Sequence, residues 1–304
     1  MLSTVLAIAA IVAAGRLFAN FVDAPHRPRW IARLGRWRWP AAVVLWSVIL
    51  LVAGLPLGNL LFKAGLRAEL TDAGPVRSWS VAKVAERVAA APVEFRGDLW
   101  LSLRVGAAAA TAALAIATPV AWSMRSTYGV PWLRLAILAL CLTIPGPLLG
   151  VGLIHALNRP VDSPLSVLAW LYDTNFAPWL AQTIRALPLA TLILWPALAS
   201  VPQAMLDTAA TEGSGWWGRL MRIALPQRWP AAAAAWLVAL AIAFGELAAT
   251  VLVVPPQQST PISVRIFQLL HYGVDDRVAA ISLVLVAAIA VLTWISATLL
   301  KRTM

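Results

Sequence analysis

Charge is scarce in this sequence. Only 12% of its 304 residues are charged and 61% are hydrophobic, whereas an average soluble domain is about a quarter charged and about half apolar. A water-soluble core cannot hide so many apolar side chains. A bilayer does not require them to be hidden, because its hydrocarbon is as apolar as leucine. The composition therefore excludes an ordinary soluble domain and predicts a membrane protein.

Cysteine, histidine and lysine are also rare. Cys141 is the only cysteine, which excludes an intrachain disulfide and a cysteine-based metal site. His26, His155 and His271 do not form a metal-ligand cluster by spacing. None of the three lysines follows a glycine, whereas an ATP-binding phosphate loop needs a Gly-Lys pair. An embedded enzyme would need a nucleophile, a metal or an acid-base pair at one depth, and the sequence offers none.

Long apolar runs are what the sequence has instead. A helix rises about 1.5 Å per residue and the hydrocarbon core is about 30 Å thick, so a span needs roughly 20 apolar residues. Six such runs lie near residues 41–62, 99–122, 133–157, 177–200, 231–254 and 279–300, and a weaker one lies at 1–22. We predict an all-α, polytopic membrane helix bundle. Residues 1–40 are an N-terminal span with a basic connector, and residues 41–304 are a six-span domain.

Basic residues fall mainly on one side of these spans. The loops of that side contain twelve Lys and Arg with three acids, whereas the opposite loops contain nine of each sign. Because positive charge concentrates in cytoplasmic loops, that side and the C-terminus are predicted to be cytoplasmic. The net charge of +11 then needs no nucleic-acid partner. Residues 201–230 form the longest inner loop and residues 63–97 the longest outer one.

The inner loop at 201–230 has the pattern of two short helices. Asp207 suits a helix start, Gly213 and Gly215 suit a turn, and Pro226 suits the end of the second helix. An alternative interpretation is an interfacial amphipathic pair whose tryptophans dip into the headgroups.

The same loop resembles the signature of the binding-protein-dependent inner-membrane permeases of ABC transporters. That signature is Glu-Ala-Ala, three residues, Gly, nine residues, then Ile-x-Leu-Pro. The matching positions, with Glu212 beside the glycine, are Asp207, Thr208, Ala209, Gly213, Ile223, Leu225 and Pro226. Asp207 keeps the carboxylate one methylene shorter, and Thr208 adds a hydroxyl. The resemblance implies a type I ABC importer permease fold in a bacterial inner membrane.

The resemblance also implies partners. In that family the loop docks in a groove of a cytoplasmic ATPase dimer, an extracytoplasmic binding protein delivers the substrate, and a second permease bundle faces the first. The chain itself is then not an enzyme and has no cofactor. Residues 1–22 with the basic stretch at 26–30 look like the end of an upstream bundle, which predicts a C-terminal half paired with a separate N-terminal half. A homodimer with one extra span is the alternative.

The substrate expectation rests on two further segments. Residues 244–250 and 261–273 look like the branch that imports ferric iron, with the thiamine and phosphonate importers nearby. We therefore expect ferric iron, with thiamine, phosphonate or another small solute as alternatives. An ion-coupled secondary transporter is a weaker alternative. Such proteins commonly carry internal repeats, and none is evident in this sequence. They also have no use for an ATPase-docking loop.

Two charges lie deep in predicted spans. Arg185 and Glu246 are each about eight residues from the outer span end, or roughly 12 Å below it. We hypothesise that they pair and form part of an outer gate, with Pro145 and Gly146 of the proline-interrupted third span also in the path. Three alternatives stay open: a purely structural pair, an Arg185 that reaches out to the headgroups, or a Glu246 that faces the partner bundle.

Overall fold

The computed structural model of the chain describes residues 35–71, 74–125, 131–160, 164, 166–255, 259–273 and 275–301. The predicted N-terminal span at 1–22 and the basic stretch at 26–30 lie outside these residues. The described part is almost entirely helical. A short antiparallel hairpin of strands β1 (Leu66–Thr71) and β2 (Gly74–Trp79) follows the first helix, with Leu66 opposite Trp79. This hairpin was not predicted from the sequence.

The helices are numbered in chain order. They are α1 (Gly35–Gly65), α2 (Val81–Glu94), α3 (Arg96–Ser123), α4 (Pro131–Thr143), α5 (Gly146–Leu157), α6 (Val167–Tyr172), α7 (Phe176–Ala199), α8 (Gln203–Thr211), α9 (Trp216–Gln227), α10 (Trp229–Gly245), α11 (Thr250–Val253), α12 (Ile262–His271) and α13 (Asp275–Lys301). Two of them contain π-helical turns, α1 at Leu50–Gly54 and α9 at Arg219–Ala224.

Four described helices are long and apolar enough to cross a membrane, namely α1, α3, α7 and α13. Two bent pairs raise the number to six if each is one span: α4 with α5, at 101°, and α9 with α10, at 84°. The first bend has a local cause, since Pro145 and Pro147 lack the N–H groups that a continuous helix would use. The predicted interruption of the third span is therefore present.

The predicted run at 41–62 lies within α1, Gly35–Gly65. One predicted span needs correction. The run at 231–254 is not one helix, because α10 ends at Gly245 and α11 is a separate turn from Thr250. Glu246 thus lies in a break with extended backbone, at φ −73° and ψ 110°, and its predicted depth along a continuous helix was wrong.

The described residues form two compact units. One contains residues 100–264 and 288–301, and the other contains residues 35–99 and 265–287. In the first unit α7 packs along α10 with many fully buried alanines, among them Ala186, Ala190, Ala235 and Ala239. Helices in lipid associate through close van der Waals contact, which small side chains permit.

The second unit contains several ion pairs. Asp276 accepts from Lys83 and Arg87, each at 3.2 Å. Arg265 contacts Asp98 at 2.9 Å. A further pair, at 2.9 Å, joins Arg277 to Glu94. These pairs connect α2 with the start of α13, and the start of α3 with α12.

Candidate functional site

The predicted helix, turn and second helix of the inner loop are present as α8 and α9. The two helices, with the turn at 212–215, are called the α8–α9 pair below. Gly213 has φ +86°, which glycine adopts without steric cost. Around it, the N–H of Ser214 donates to the Ala209 carbonyl at 2.8 Å and the N–H of Gly213 donates to the Ala210 carbonyl at 3.0 Å. This is a Schellman ending for α8, and it explains the need for glycine.

Asp207 does not start a helix, contrary to the prediction. Pro202 precedes α8, and Asp207 lies in its middle, where its Oδ1 accepts from Gln203 Nε2 at 2.7 Å. Pro226 lies one residue before the end of α9 at Gln227. The carboxylate of Asp207 therefore projects from a formed helix.

One face of the α8–α9 pair is buried. Leu206, Leu220 and Ala224 belong to the same apolar cluster as Trp122 of α3 and Leu198 of α7. Through this cluster, the buried face of the α8–α9 pair packs against the ends of α3 and α7.

The residues of the predicted signature divide between the two faces. Asp207, Thr208, Glu212, Gly213 and Pro226 are exposed, Ile223 and Leu225 are half-buried, and Ala209 is buried. Two of the exposed residues are carboxylates, Asp207 in the middle of α8 and Glu212 at the turn. Arg222, Met205 and Met221 are exposed as well, so the pair presents a surface of both charges with apolar side chains, while its buried face is fixed to the spans.

Arg185 and Glu246 are brought together. Arg185 Nε donates to Glu246 Oε2 at 3.3 Å. Its Nη1 also donates to the carbonyls of Ile144, at 3.0 Å, and Leu142, at 3.4 Å. The Glu246 side chain is 7% exposed and that of Arg185 is 26% exposed. These groups, with Ala249 and Ser263, are called the Arg185 cluster below.

The Arg185 cluster connects two helix breaks. The carbonyls of Leu142 and Ile144 are at the end of α4, where carbonyls lack helical partners and a cation is favourable. At the other break, Glu246 Oε1 accepts from the N–H of Ala249 at 2.8 Å, and the Glu246 carbonyl accepts from Ser263 Oγ at 3.0 Å. Arg185 on the unbroken α7 thus bonds to both interrupted segments.

Gly146 lies in close contact with the second break. A Cβ at this position would overlap that of Ala248 and lie 3.2 Å from the Ala249 nitrogen. One turn later, a Cβ at Gly150 would lie 3.1 Å from the Ala249 carbonyl oxygen. Pro145 directly precedes α5 with extended ψ of 137°. The two glycines, four residues apart, therefore permit a close approach of the two backbones.

Several residues of these two sites were not predicted from the sequence. Ser263, Ala249 and the Ile144 carbonyl had no assigned role, and Arg125 was counted only among the basic residues of the inner side. Arg125 Nη2 donates to Gln203 Oε1 at 2.9 Å. Burial lowers the pKa of the Arg125 guanidinium, and the Asp207 carboxylate partly offsets this. The only available signal was an arginine placed just beyond an apolar run.

Together, the apolar helices and the exposed helix pair define a membrane transport component. Residues 113–304 match the family described as the binding-protein-dependent transport system inner membrane component. This match covers more than half of the chain, so the chain belongs to that family. It is an inner-membrane, multi-pass permease subunit of an ABC importer.

Related proteins agree with this assignment. The chain is 29% identical over 195 residues to proteins provisionally named 2-aminoethylphosphonate transport system permease proteins, from Salmonella paratyphi A and Salmonella typhimurium. The match covers 62% of this chain and 69% of each relative.

Two solved structures of bacterial alginate ABC transporters, one with an alginate-bound periplasmic protein, are 16% identical. Their TM-scores are 0.55 and 0.56, over 89% and 88% of this chain and 94% and 97% of theirs. The fold is that of a type I importer permease.

Proposed function

We propose that this permease passes a small phosphonate across the inner membrane, driven by ATP hydrolysis on a separate cytoplasmic ATPase dimer. The observation that carries the coupling part is the α8–α9 pair, which is anchored by Leu206 and Leu220 and exposes Asp207 and Glu212. An exposed helix pair that is fixed to the ends of several spans is suited to receive motion from a partner and pass it to the spans.

The partners follow from the family. Its description is binding-protein-dependent, which supports delivery of the substrate by an extracytoplasmic binding protein. One of the similar alginate transporters was solved with its periplasmic protein. We infer that a second permease bundle completes the pathway, either a second copy or a separate N-terminal half. In the orientation predicted from the distribution of basic residues, the C-terminus and the α8–α9 pair are cytoplasmic.

The substrate is proposed from the relatives. The Salmonella relatives are named for 2-aminoethylphosphonate, which favours the phosphonate alternative over the ferric iron expected from the sequence segments. Arginine is well suited to phosphonate oxygens, because its planar donors match them in pairs. Ferric iron and thiamine are kept as test compounds.

The Arg185 cluster is proposed as part of the outer gate. It joins the break after α4 to the break after α10 through one ion pair and two carbonyl bonds. Broken helices in transporters commonly line the substrate path. If the Arg185–Glu246 ion pair broke or re-formed, Gly146 and the segment at 248–252 would therefore move together.

Growth and uptake test the substrate. The gene for this chain is deleted in the bacterium that encodes it, and cells are fed 2-aminoethylphosphonate as the sole phosphorus source. We expect growth and uptake of the radiolabelled compound to be lost and to return with the parental gene. Growth on phosphate is the control. Unchanged phosphonate uptake together with lost ferric iron or thiamine uptake would refute the phosphonate proposal.

A further inference from the structure

Arg125 lies two residues beyond α3 and bonds to two other elements. Its Nη1 donates to the Leu198 carbonyl at 2.8 Å, and its Nη2 donates to the Val201 carbonyl at 2.7 Å and to Gln203 Oε1 at 2.9 Å. Leu198 belongs to the last turn of α7, and Gln203 is the first residue of α8. One side chain therefore bridges the ends of two spans and the start of the α8–α9 pair.

The contact continues from Gln203 to Asp207 along α8. Gln203 accepts from Arg125 through Oε1 and donates to Asp207 Oδ1 through Nε2 at 2.7 Å. The amide is thus oriented with its acceptor toward the cation and its donor toward the anion. Hydrogen bonds to charged partners are stronger than neutral ones, so this orientation fixes the side chain of Asp207 to the end of α3.

The end of α3 also contacts the second helix of the pair. Trp122 is 5% exposed and packs edge-on against Trp216 of α9, with ring centroids 6.5 Å apart. The Arg125 guanidinium lies 5.5 Å from the Trp122 ring, within cation–π range. Neighbouring residues of one helix end therefore contact both α8 and α9.

We propose that Arg125 is a positioning residue that fixes the α8–α9 pair to the ends of α3 and α7, so that movement of the pair reaches these spans. The inference rests on the proposed coupling function. An arginine is needed at this position for its geometry, because one planar guanidinium donates to three acceptors that lie in different directions. Lysine keeps the charge but not the fork of donors.

Two variants test the proposal. Arg125→Lys keeps the charge and loses the fork. Gln203→Met cuts the link to α8 while leaving the bonds from Arg125 to α7. Since Gln203 is exposed, its loss should leave folding intact. Matched controls outside the α8–α9 pair are Arg104→Lys on α3 and Asn59→Leu on α1, both at exposed positions.

The measured quantity is substrate transported per ATP hydrolysed in proteoliposomes that contain the ATPase, the second bundle and the binding protein. The radiolabelled compound is the one that the parent imports among 2-aminoethylphosphonate, ferric iron and thiamine. We expect parental yield of the assembled complex and continued ATP hydrolysis in both variants. The ratio should fall about tenfold, within the range seen for substitutions along a coupling path. The two controls should keep the parental ratio.

A parental ratio in Gln203→Met refutes the proposal, whatever Arg125→Lys does. Reduced yield with a parental ratio also refutes it, because that result indicates a role in stability alone. A third variant, Gly213→Val, distinguishes a wrong role for Arg125 from a wrong coupling function. If Gly213→Val lowers the ratio and Gln203→Met does not, only the role of Arg125 is wrong. If Gly213→Val also keeps the ratio, the coupling function itself is wrong.

Discussion

The ion pair between Arg185 and Glu246 gives a prediction whose size follows from its contacts. Arg185→Leu removes the cation beside a carboxylate that is 7% exposed, together with the donor for the Ile144 and Leu142 carbonyls. Removing one partner of a buried pair costs about 3–5 kcal/mol, because the other charge stays buried. The remaining bond from the Ala249 N–H to Glu246 places our expectation at the lower end, about 3 kcal/mol.

Glu246→Leu should cost less. Arg185 is 26% exposed and keeps its two carbonyl acceptors, whereas the Ala249 N–H loses its acceptor, a loss of about 1–3 kcal/mol. If the two sites were independent, the double variant would lose about 5 kcal/mol. Because neither charge is stranded in the double variant, we expect it to lose about 2 kcal/mol less than that sum.

The assay is the free energy of unfolding in mixed detergent micelles, followed by tryptophan fluorescence, with expression measured in parallel. Arg104→Leu is the matched control, because Arg104 is an exposed arginine in α3 that contacts the ring of Trp100. It should change stability by at most about 1 kcal/mol. Additive losses in the double variant would refute the energetic pairing. A fully active Glu246→Leu would remove that residue from the gate.

Three further outcomes are expected. Gly146→Ala should lower expression and should reduce the free energy of unfolding by about 1–3 kcal/mol, because the added methyl group overpacks against the second break. Gly152→Ala should be neutral, since a Cβ there meets nothing within 4 Å. Equal effects of the two substitutions would contradict the close approach of Gly146 to the second break. Gly213→Val should insert normally but fail to transport, because a β-branched residue is strained at positive φ. Gly215→Val is the control and should transport, because Gly215 has φ −70° and a Cβ there meets nothing within 4 Å. Parental transport by Gly213→Val would contradict the coupling assignment. In a Cys141→Ser background, an impermeant thiol reagent added to intact cells should label a cysteine at position 80 and not one at position 214, and the reverse result would invert the topology.

The spans and the α8–α9 pair could be predicted from local signals. Spans follow from apolar runs, because lipid imposes length and hydropathy on each helix separately. The turn at Gly213 follows from a residue type that one backbone conformation requires. These features need no knowledge of distant residues.

The break at Glu246 could not be predicted in this way. The residues after it, Leu247 and the two alanines, are good helix formers, so local propensity favours a continuous helix. The break is instead stabilised by side chains far away in the sequence. Ser263 is 17 residues away and Arg185 is 61 residues away.

Arg125 was missed for a similar reason. Two of its three acceptors are backbone carbonyls, and the nearer in sequence is 73 residues away. A carbonyl acceptor leaves no residue type for sequence reasoning to recognise. Any arginine beyond an apolar run has the same appearance in sequence, so the positive-inside pattern accounted for it fully.

Uptake into proteoliposomes tests the central claim most directly. The vesicles contain this chain with its ATPase and the second permease bundle, and the binding protein is added outside with radiolabelled 2-aminoethylphosphonate. The account predicts uptake that requires ATP on the ATPase side, stops when the ATPase cannot hydrolyse ATP, and does not respond to an ion gradient. Uptake driven by an ion gradient without an ATPase would contradict the claim that this chain is moved by ATP hydrolysis on a partner.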